Sequence, residues 1–331
     1  MTAEIPDRDL LLRIEDLKVH FGGKSWIPGK ASKTVHAVDG VSLEVERGKT
    51  FGIVGESGSG KTTTALASVR LVPITAGRVF LDDTEISALT GEALRLARKR
   101  FQIVFQDPFS SLNPRVRAGQ IVREPLDLME IGAEADRDGL VQELFAQVGL
   151  RPEQQALFPH QFSGGQRQRI GLARAIATRP ELVVCDEPVS ALDVAIQAQI
   201  LNLMRRLQEE LGLTYLFISH DLGVVQYICD EIAVMYLGQI VEQADRVSLF
   251  VRPRHPYTKA LLSAVPSARA GKRAANRANR IRLEGDPPSP IDLPKGCRFA
   301  GRCPLAEARC HETPPELRLI GKGHKVACHL V

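Results

Sequence analysis

Lys61 is the seventh residue of the string G-E-S-G-S-G-K-T (residues 55–62), and further along Asp186 and Glu187 follow the apolar L-V-V-C of L-V-V-C-D-E-P (residues 182–188). A glycine-rich turn between a strand and a helix aims several backbone N–H groups at one point. The helix dipole adds to that field, and a lysine brings a mobile full charge. Phosphate oxygens are the natural occupant. Lys61 is expected to reach the β and γ phosphates of a nucleotide and Thr62 to offer its hydroxyl to Mg²⁺, with Asp186 holding that metal directly or through water. Glu187, one residue on, is placed to orient and polarise an attacking water, which makes it the candidate catalytic base. His220 and Gln106 each follow a strand-like run. A hydrogen bond from His220 to the γ-phosphate is the functional reading, and a capping or core histidine the plain one.

These groups need a parallel sheet to carry them to one edge. Residues 50–54, 101–105, 182–185 and 214–219 are short apolar runs of strand type, and residues 62–69 read as the helix that follows the phosphate loop. Residues 11–21, 41–45 and 77–83 read as antiparallel strands, while residues 113–178 lose the strand runs and become helical in pattern. Over residues 194–211, Ile196, Ile200, Leu203, Met204, Leu207 and Leu211 recur at spacings of three and four, an amphipathic helix whose apolar face is core. Residues 232–236 and 239–242 flank Gly238 as a hairpin.

With F-S-G-G-Q-R-Q-R (residues 162–169) and S-A-L-D (residues 190–193) added, the chain resembles the ABC (ATP-binding cassette) ATPases. The series of Walker A, Q-loop, signature, Walker B, D-loop and switch histidine covers about residues 10–245. The resemblance implies an α/β cassette with a mixed-sheet P-loop core, an antiparallel β subdomain and a helical signature subdomain at about 113–178. It implies ATP contacts from Gly55, Ser57, Gly58, Ser59, Gly60, Lys61, Thr62 and Thr63, and Mg²⁺ held by Thr62, Gln106 and Asp186. Glu187, His220 and Gln106 would act in hydrolysis. Two cassettes face head to tail in the family, so Ser163, Gly164, Gly165 and Gln166 would complete the partner's ATP site, with Asp193 in the D-loop. Phe162 replaces the usual leucine, Thr62 the commoner serine, and Cys185 ends the Walker B strand; none removes a needed group. Phe21 is the expected adenine-stacking aromatic, and Trp26 is the alternative.

The string R-P-R-H-P-Y-T-K-A-L-L-S-A-V-P (residues 252–266) is similar to the C-terminal region of ATP-binding subunits of dipeptide, oligopeptide and nickel importers. By its residues alone H-P-Y-T is a turn and a short helix. Q-D-P-F-S-S-L-N-P-R (residues 106–115) is similar to the second of that subfamily's two paired ATPases. The resemblance implies a peripheral subunit at the cytoplasmic face of the inner membrane that powers peptide uptake, with nickel or another small solute as the alternative cargo. Its partners would be two permeases, a second and paralogous ATPase, and an extracytoplasmic substrate-binding protein. A soluble ABC ATPase of nucleic-acid repair or translation is the competing class.

Four of the six cysteines, Cys297, Cys303, Cys310 and Cys328, share C-x5-C-x6-C-x17-C spacing. Mg-ATP chemistry points to a reducing compartment, where clustered thiols more often bind metal than pair. Four thiolates suit a four-iron four-sulfur (4Fe-4S) cluster, which the resemblance implies for some members, or Zn²⁺ as the alternative. Cys185 and Cys229 read as inert core thiols. The expected division is a cassette at 10–250 and an extension at 251–331, with a basic linker at 267–283 and a Cys module at 297–328. The net charge of +4 over 331 residues is too small to argue for nucleic acid. No stretch approaches the ~20 apolar residues of a membrane span, so membrane attachment is expected through partners.

Overall fold

The computed structural model describes residues 9–22, 33–107, 111–265 and 281–331. Trp26, most of the basic linker and residues 108–110 lie outside the described residues. The chain divides into two compact units. One comprises Met1–Arg13, Glu44–Thr50 and Val79–Ile218, and the other Ile14–Leu43, Phe51–Arg78 and Ser219–Val331.

Strands β1 (Leu10–Phe21) and β2 (Val35–Glu46) come first, followed by β3 (Thr50–Val54) and helix α1 (Lys61–Ser68). Strands β4 (Ala76–Leu81) and β5 (Thr84–Glu85) complete a four-stranded sheet of order β2-β1-β4-β5. In β2, Val41, Leu43 and Val45 are buried and the residues between them exposed, which is the period of two that a half-buried strand requires.

The first unit continues through α2 (Gly91–Ala97), β6 (Phe101–Val104), α3 (Ala118–Leu128), α4 (Arg137–Gln147) and α5 (Gly164–Ile176) to β7 (Leu182–Asp186), α6 (Val194–Leu211) and β8 (Thr214–Ser219). Strands β6, β7 and β8 run parallel, with Val104 opposite Cys185 and Cys185 opposite Phe217. Every residue of β7 and β8 is buried, so both strands read as unbroken apolar runs rather than alternating ones. Glu181 and Leu182 both donate their N–H to the carbonyl of Arg100, which sets the register of β6 on β7.

Helix α6 starts at Asp193, whose carboxylate accepts the Ile196 N–H at 3.0 Å, and stops at Gly212, in the left-handed region at φ 66°. Ile200, Leu203, Met204 and Leu207 are buried as the spacing predicts, but Ile196 is half-buried and Leu211 is 36% exposed. The two terminal turns leave the core. Ile196 instead packs on Gly165, where an added Cβ would lie 2.5 Å from its Cγ2.

The second unit follows β3 and α1 with α7 (Leu222–Ile228), β9 (Glu231–Tyr236), β10 (Gln239–Asp245), α8 (Arg246–Val251), α9 (Pro256–Ser263), α10 (Ala308–Glu312), β11 (Arg318–Gly321) and β12 (His324–Val326). Strand β3 pairs parallel with β9, whereas β9–β10, β10–β12 and β12–β11 are antiparallel, so the sheet here is mixed. The β9–β10 turn places both Leu237 (φ 43°) and Gly238 (φ 80°) at positive φ, as a tight hairpin turn demands. The Glu242 carboxylate on β10 is fully buried. It accepts the N–H of Arg254 at 2.7 Å and of His255 at 2.9 Å, and His324 Nε2 lies 2.7 Å from it. A buried carboxylate needs such a set of donors, and here they fasten the start of α9 and strand β12 to β10.

Candidate active site

In the second unit the G-E-S-G-S-G-K-T string joins β3 to α1 as a closed loop. Gly55, Gly58 and Gly60 take φ values of 156°, 78° and 103°. A Cβ on Gly55 would meet the Met235 carbonyl oxygen at 2.2 Å, and one on Gly60 the Ala37 carbonyl oxygen at 2.2 Å. Glycine is therefore required both by backbone conformation and by close approach. Lys61 is only 5% exposed, and its Nζ donates to the carbonyls of Gly55 and Glu56, each at 2.9 Å. Ser57 and Gly58 stand exposed at the rim with Thr62, and Thr63 is half-buried. Ser59 is 4% exposed, and its Oγ has no hydrogen-bond partner among the described residues. An orphaned buried hydroxyl in a glycine cradle fits a phosphate oxygen. His220 follows β8 and is exposed, and Phe21 ends β1 with 42% of its surface exposed.

In the first unit Asp186 ends β7 and is 5% exposed. Glu187 sits at φ 47°, a left-handed conformation that costs a non-glycine residue about 1–2 kcal/mol. Its N–H donates to the Ile218 carbonyl at 3.0 Å, which holds the backbone there. Strain of this kind clusters at functional sites. Gln106 Nε2 donates to Glu187 Oε2 at 2.9 Å, so the structure brings these two predicted groups together.

The S-G-G-Q string is the start of α5. Ser163 Oγ accepts the Gln166 N–H at 3.3 Å, and Gln166 Oε1 accepts the Ser163 N–H at 3.0 Å, a reciprocal capping box. Gly164 would place a Cβ 3.2 Å from Leu192 Cδ2. The two glycines thus let α5 seat closely on the residues that follow β7, while Ser163 and Gln166 cap its positive end.

Several contributors were not singled out by the sequence reading. The Glu56 N–H donates to the Tyr257 hydroxyl at 2.9 Å, and the Glu56 carboxylate takes two bonds from Arg302, at 2.7 and 3.2 Å. H-P-Y-T gains a physical meaning from this. His255 caps α9 by accepting the Tyr257 N–H on Nδ1 at 3.1 Å, and burial lowers its pKa to about 4, so the ring stays a neutral acceptor. Pro256 occupies the first helical position, and Tyr257 reaches the phosphate loop.

Among the described residues, His20, His36 and Asp39 form the one group of three or more metal-type side chains with ligand atoms within 4.8 Å of one another. Arg298 pairs with the second oxygen of Asp39. Burial works upward on that carboxyl, but Arg298 and His20 outweigh it and hold it below the usual carboxylate range. The trio is a hydrogen-bonded chain already supplied with a cation.

Comparison with known proteins agrees with this geometry. The ABC transporter family model matches residues 38–190, and the model of the oligopeptide/dipeptide transporter C-terminal region matches residues 241–310. The oligopeptide transport ATP-binding protein AppF of Bacillus subtilis is 49% identical over 331 residues, covering 100% of this chain and 99% of that protein. A putative peptide import ATP-binding protein of Brucella ovis is 48% identical over 96% of this chain and 97% of its own. Among solved structures, the ATP-binding cassette MJ0796, a dimer bound to ADP and Pi in a post-hydrolysis state, aligns with TM-score 0.63 and 27% identity over 71% of this chain and 99% of that one. CbiO1 of Clostridium perfringens, part of an ABC transporter complex, aligns with TM-score 0.64 and 26% identity over 74% of this chain and 92% of its own. The chain belongs to the ABC transporter ATP-binding family and carries the C-terminal region of its oligopeptide/dipeptide branch.

Proposed function

We propose that this protein is the ATP-hydrolysing subunit of a membrane importer of dipeptides or oligopeptides, peripheral to the inner membrane at its cytoplasmic face. The observation that carries the hydrolytic half is Glu187, held in a left-handed backbone by Ile218 and hydrogen-bonded by Gln106. In this reading Gly55, Ser57, Gly58, Ser59, Gly60 and Lys61 cradle the phosphates of ATP, and Phe21 stacks on its adenine. Thr62, Gln106 and Asp186 would hold Mg²⁺, which would supply positive charge to the phosphate oxygens. Glu187 orients and deprotonates the attacking water, and His220 donates to the γ-phosphate. Ser163, Gly164, Gly165 and Gln166 present the capped end of α5 to ATP held by a second cassette, with Asp193 alongside. ATP binds the closed pair better than ADP does, and that difference is what shifts the permease.

The transport half rests on relatives named for peptide import and on a groove of about 810 Å³ in the first unit, lined by Asn113, Val116, Arg117, Ile121, Val141 and Arg174. The groove lining also holds Arg123 with the acids Glu124, Asp127 and Asp138, so the trough is apolar with charges of both signs, and it suits an amphipathic cytoplasmic helix of a permease. No helix among the described residues is long and apolar enough to cross a membrane. The assembly comprises two permeases, a second and paralogous ATPase, and a substrate-binding protein, organised around a cassette at 10–250 and an extension at 251–331. The C-terminal region matched at 241–310 disfavours the nucleic-acid class. Isolation of tagged Glu187→Gln protein from gently solubilised membranes in MgATP should recover two multispanning proteins and a second cassette in equal amounts. Recovery of soluble nucleoprotein, or of nothing membrane-bound, refutes the transporter role.

Cys297, Cys303, Cys310 and Cys328 are proposed to hold a 4Fe-4S cluster, with Zn²⁺ as the alternative. Supporting this, the Cys297 N–H donates to the Cys310 carbonyl at 2.8 Å. Burial pushes the Cys297 and Cys303 thiols up, and their mutual repulsion with Cys310 and Cys328 adds to it. A bound cation reverses that repulsion and releases the protons. Zinc with Zn–S of ~2.3 Å needs sulfurs about 3.8 Å apart, whereas among the described residues no three of these thiols have their sulfurs all within 4.8 Å of one another. Protein purified without oxygen should contain about four irons and four sulfides per chain, both lost in Cys310→Ser; one zinc and no iron would select the alternative.

A further inference from the structure

The four thiols and the phosphate loop are far apart in sequence, yet one side chain joins their loops. Arg302 lies in a single turn of 3₁₀ helix, Ala300–Arg302, between Cys297 and Cys303. Its guanidinium grips both oxygens of Glu56, the second residue of the phosphate-loop string, and its Nη1 lies 3.4 Å from the Tyr236 hydroxyl. The Arg302 side chain is 9% exposed and that of Glu56 31%. A bidentate, partly desolvated pair of this kind fixes geometry more firmly than a surface ion pair does.

Glu56 is not a bystander in its loop. Its carbonyl accepts both Lys61 Nζ at 2.9 Å and the Ser59 N–H at 3.2 Å. Its own N–H is held by Tyr257. A shift of Glu56 therefore moves the lysine and the orphaned serine together.

Packing supplies a second route between the same two places. Phe299, 1% exposed, lies between the cysteines and has its ring 5.4 Å from that of Tyr257 and 5.2 Å from that of Tyr236. The turn itself is rigid: Ala300 donates to Cys297, Arg302 to Phe299 and Cys303 to Ala300 through the backbone. Arg298, in the same loop, donates to the Leu237 carbonyl at 2.6 Å and pairs with Asp39. The loop carrying the first two thiols is thereby bolted to the residue that positions Lys61.

We infer that Arg302 is a positioning residue that couples the Cys297–Cys303 loop to the phosphate loop, so that nucleotide at Lys61 tightens the thiol-bearing loop and the state of that loop sets nucleotide affinity. The inference rests on reading residues 55–63 as the ATP cradle. Reciprocity follows from linkage: whatever factor the loop's order contributes to ATP affinity, ATP contributes to the loop's order. It needs no metal in the thiol site, because the coupling runs through Glu56 and Arg302 themselves.

Amide hydrogen exchange of the full chain, with and without MgATP, reads the loop directly, and equilibrium binding of labelled ATP reads the cradle. In the wild type, ATP should slow exchange across residues 297–303 by about fivefold or more, the lower end of ordinary coupling factors. Arg302→Ala should still bind ATP, about fivefold more weakly, with no slowing in 297–303. Glu56→Gln, which changes no residue of the Cys loop itself, should give the same two losses. Arg302→Lys should restore part of both. ATP bound at full affinity by Arg302→Ala, or slowing in 297–303 that survives either variant, overturns the coupling. Wild-type protein that binds no ATP overturns the cradle reading and the coupling with it, whereas ATP binding without any response in 297–303 removes the coupling alone.

Discussion

Glu187→Gln should lower the ATP turnover number by about 10²–10⁴-fold while leaving ATP affinity within about threefold, because a positioned general base contributes that much to a proton transfer. In barrier height this is about 3–5 kcal/mol. The substitution isolates the chemistry. Glutamine keeps the side-chain carbonyl that accepts from Gln106, and the backbone at φ 47° stays anchored through its N–H to Ile218. What disappears is the carboxylate's ability to take a proton from water. Phosphate release and equilibrium binding of labelled ATP measure the two quantities separately. A turnover within tenfold of wild type would remove Glu187 from the role of base, and a large loss of affinity would show that it serves binding instead.

Gly60→Ala should be strongly damaging for a change of a single methyl group. The site stands at φ 103°, and the new Cβ would lie 2.2 Å from the Ala37 carbonyl oxygen and 2.8 Å from Met235 Cε. The flexible methionine end can yield, but the β2 backbone cannot without breaking its own pairing. Left-handed strain of about 1–2 kcal/mol and overpacking of about 1–3 kcal/mol together approach 2–5 kcal/mol. That is a large share of a stability that for most proteins is about 5–15 kcal/mol. A lowered urea midpoint with an unchanged slope, together with loss of ATP binding, is the expected result. Gly58→Ala is the internal control: its φ of 78° is strained, but an added Cβ meets nothing within 4 Å, so it should pay the backbone cost alone. Equal stability of the two variants would disprove the steric account.

The parts of this architecture that could be read in advance are those whose cause is local. Strands β3, β7 and β8 and helix α6 announce themselves because each is a run of neighbouring residues that must bury itself, and glycine spacing reveals the phosphate loop for the same reason. The ends of α6 were misjudged, since periodicity at Ile196 and Leu211 says which face is apolar and not how far the core extends beneath it. The capping box of α5 was legible as S-x-x-Q at Ser163 and Gln166, but the signature reading absorbed the same letters. Glu56 and Arg302 could not be paired from sequence, because 246 residues separate them and nothing in either local pattern refers to the other. The positive φ of Glu187 is likewise invisible: glutamate has no preference for it, and the bonds that hold its backbone come from Ile218 and Ser190.

The buried Glu242 carboxylate sets an order of events during synthesis. Two of its donors, the Arg254 and His255 N–H groups, are made soon after it, but His324 follows 82 residues later. At about 5–20 residues per second, the ribosome needs about 4–16 s to deliver it. Strand β12, which covers the edge of β10 through the Glu242–Val326 and Gln243–Lys325 pairs, arrives in the same interval. For those seconds the nascent second unit carries a partly satisfied anion beside an open strand edge, the arrangement that invites pairing with another chain. Residues 324–326 are thus the ones that satisfy this carboxylate and cover the β10 edge against neighbours on the polysome.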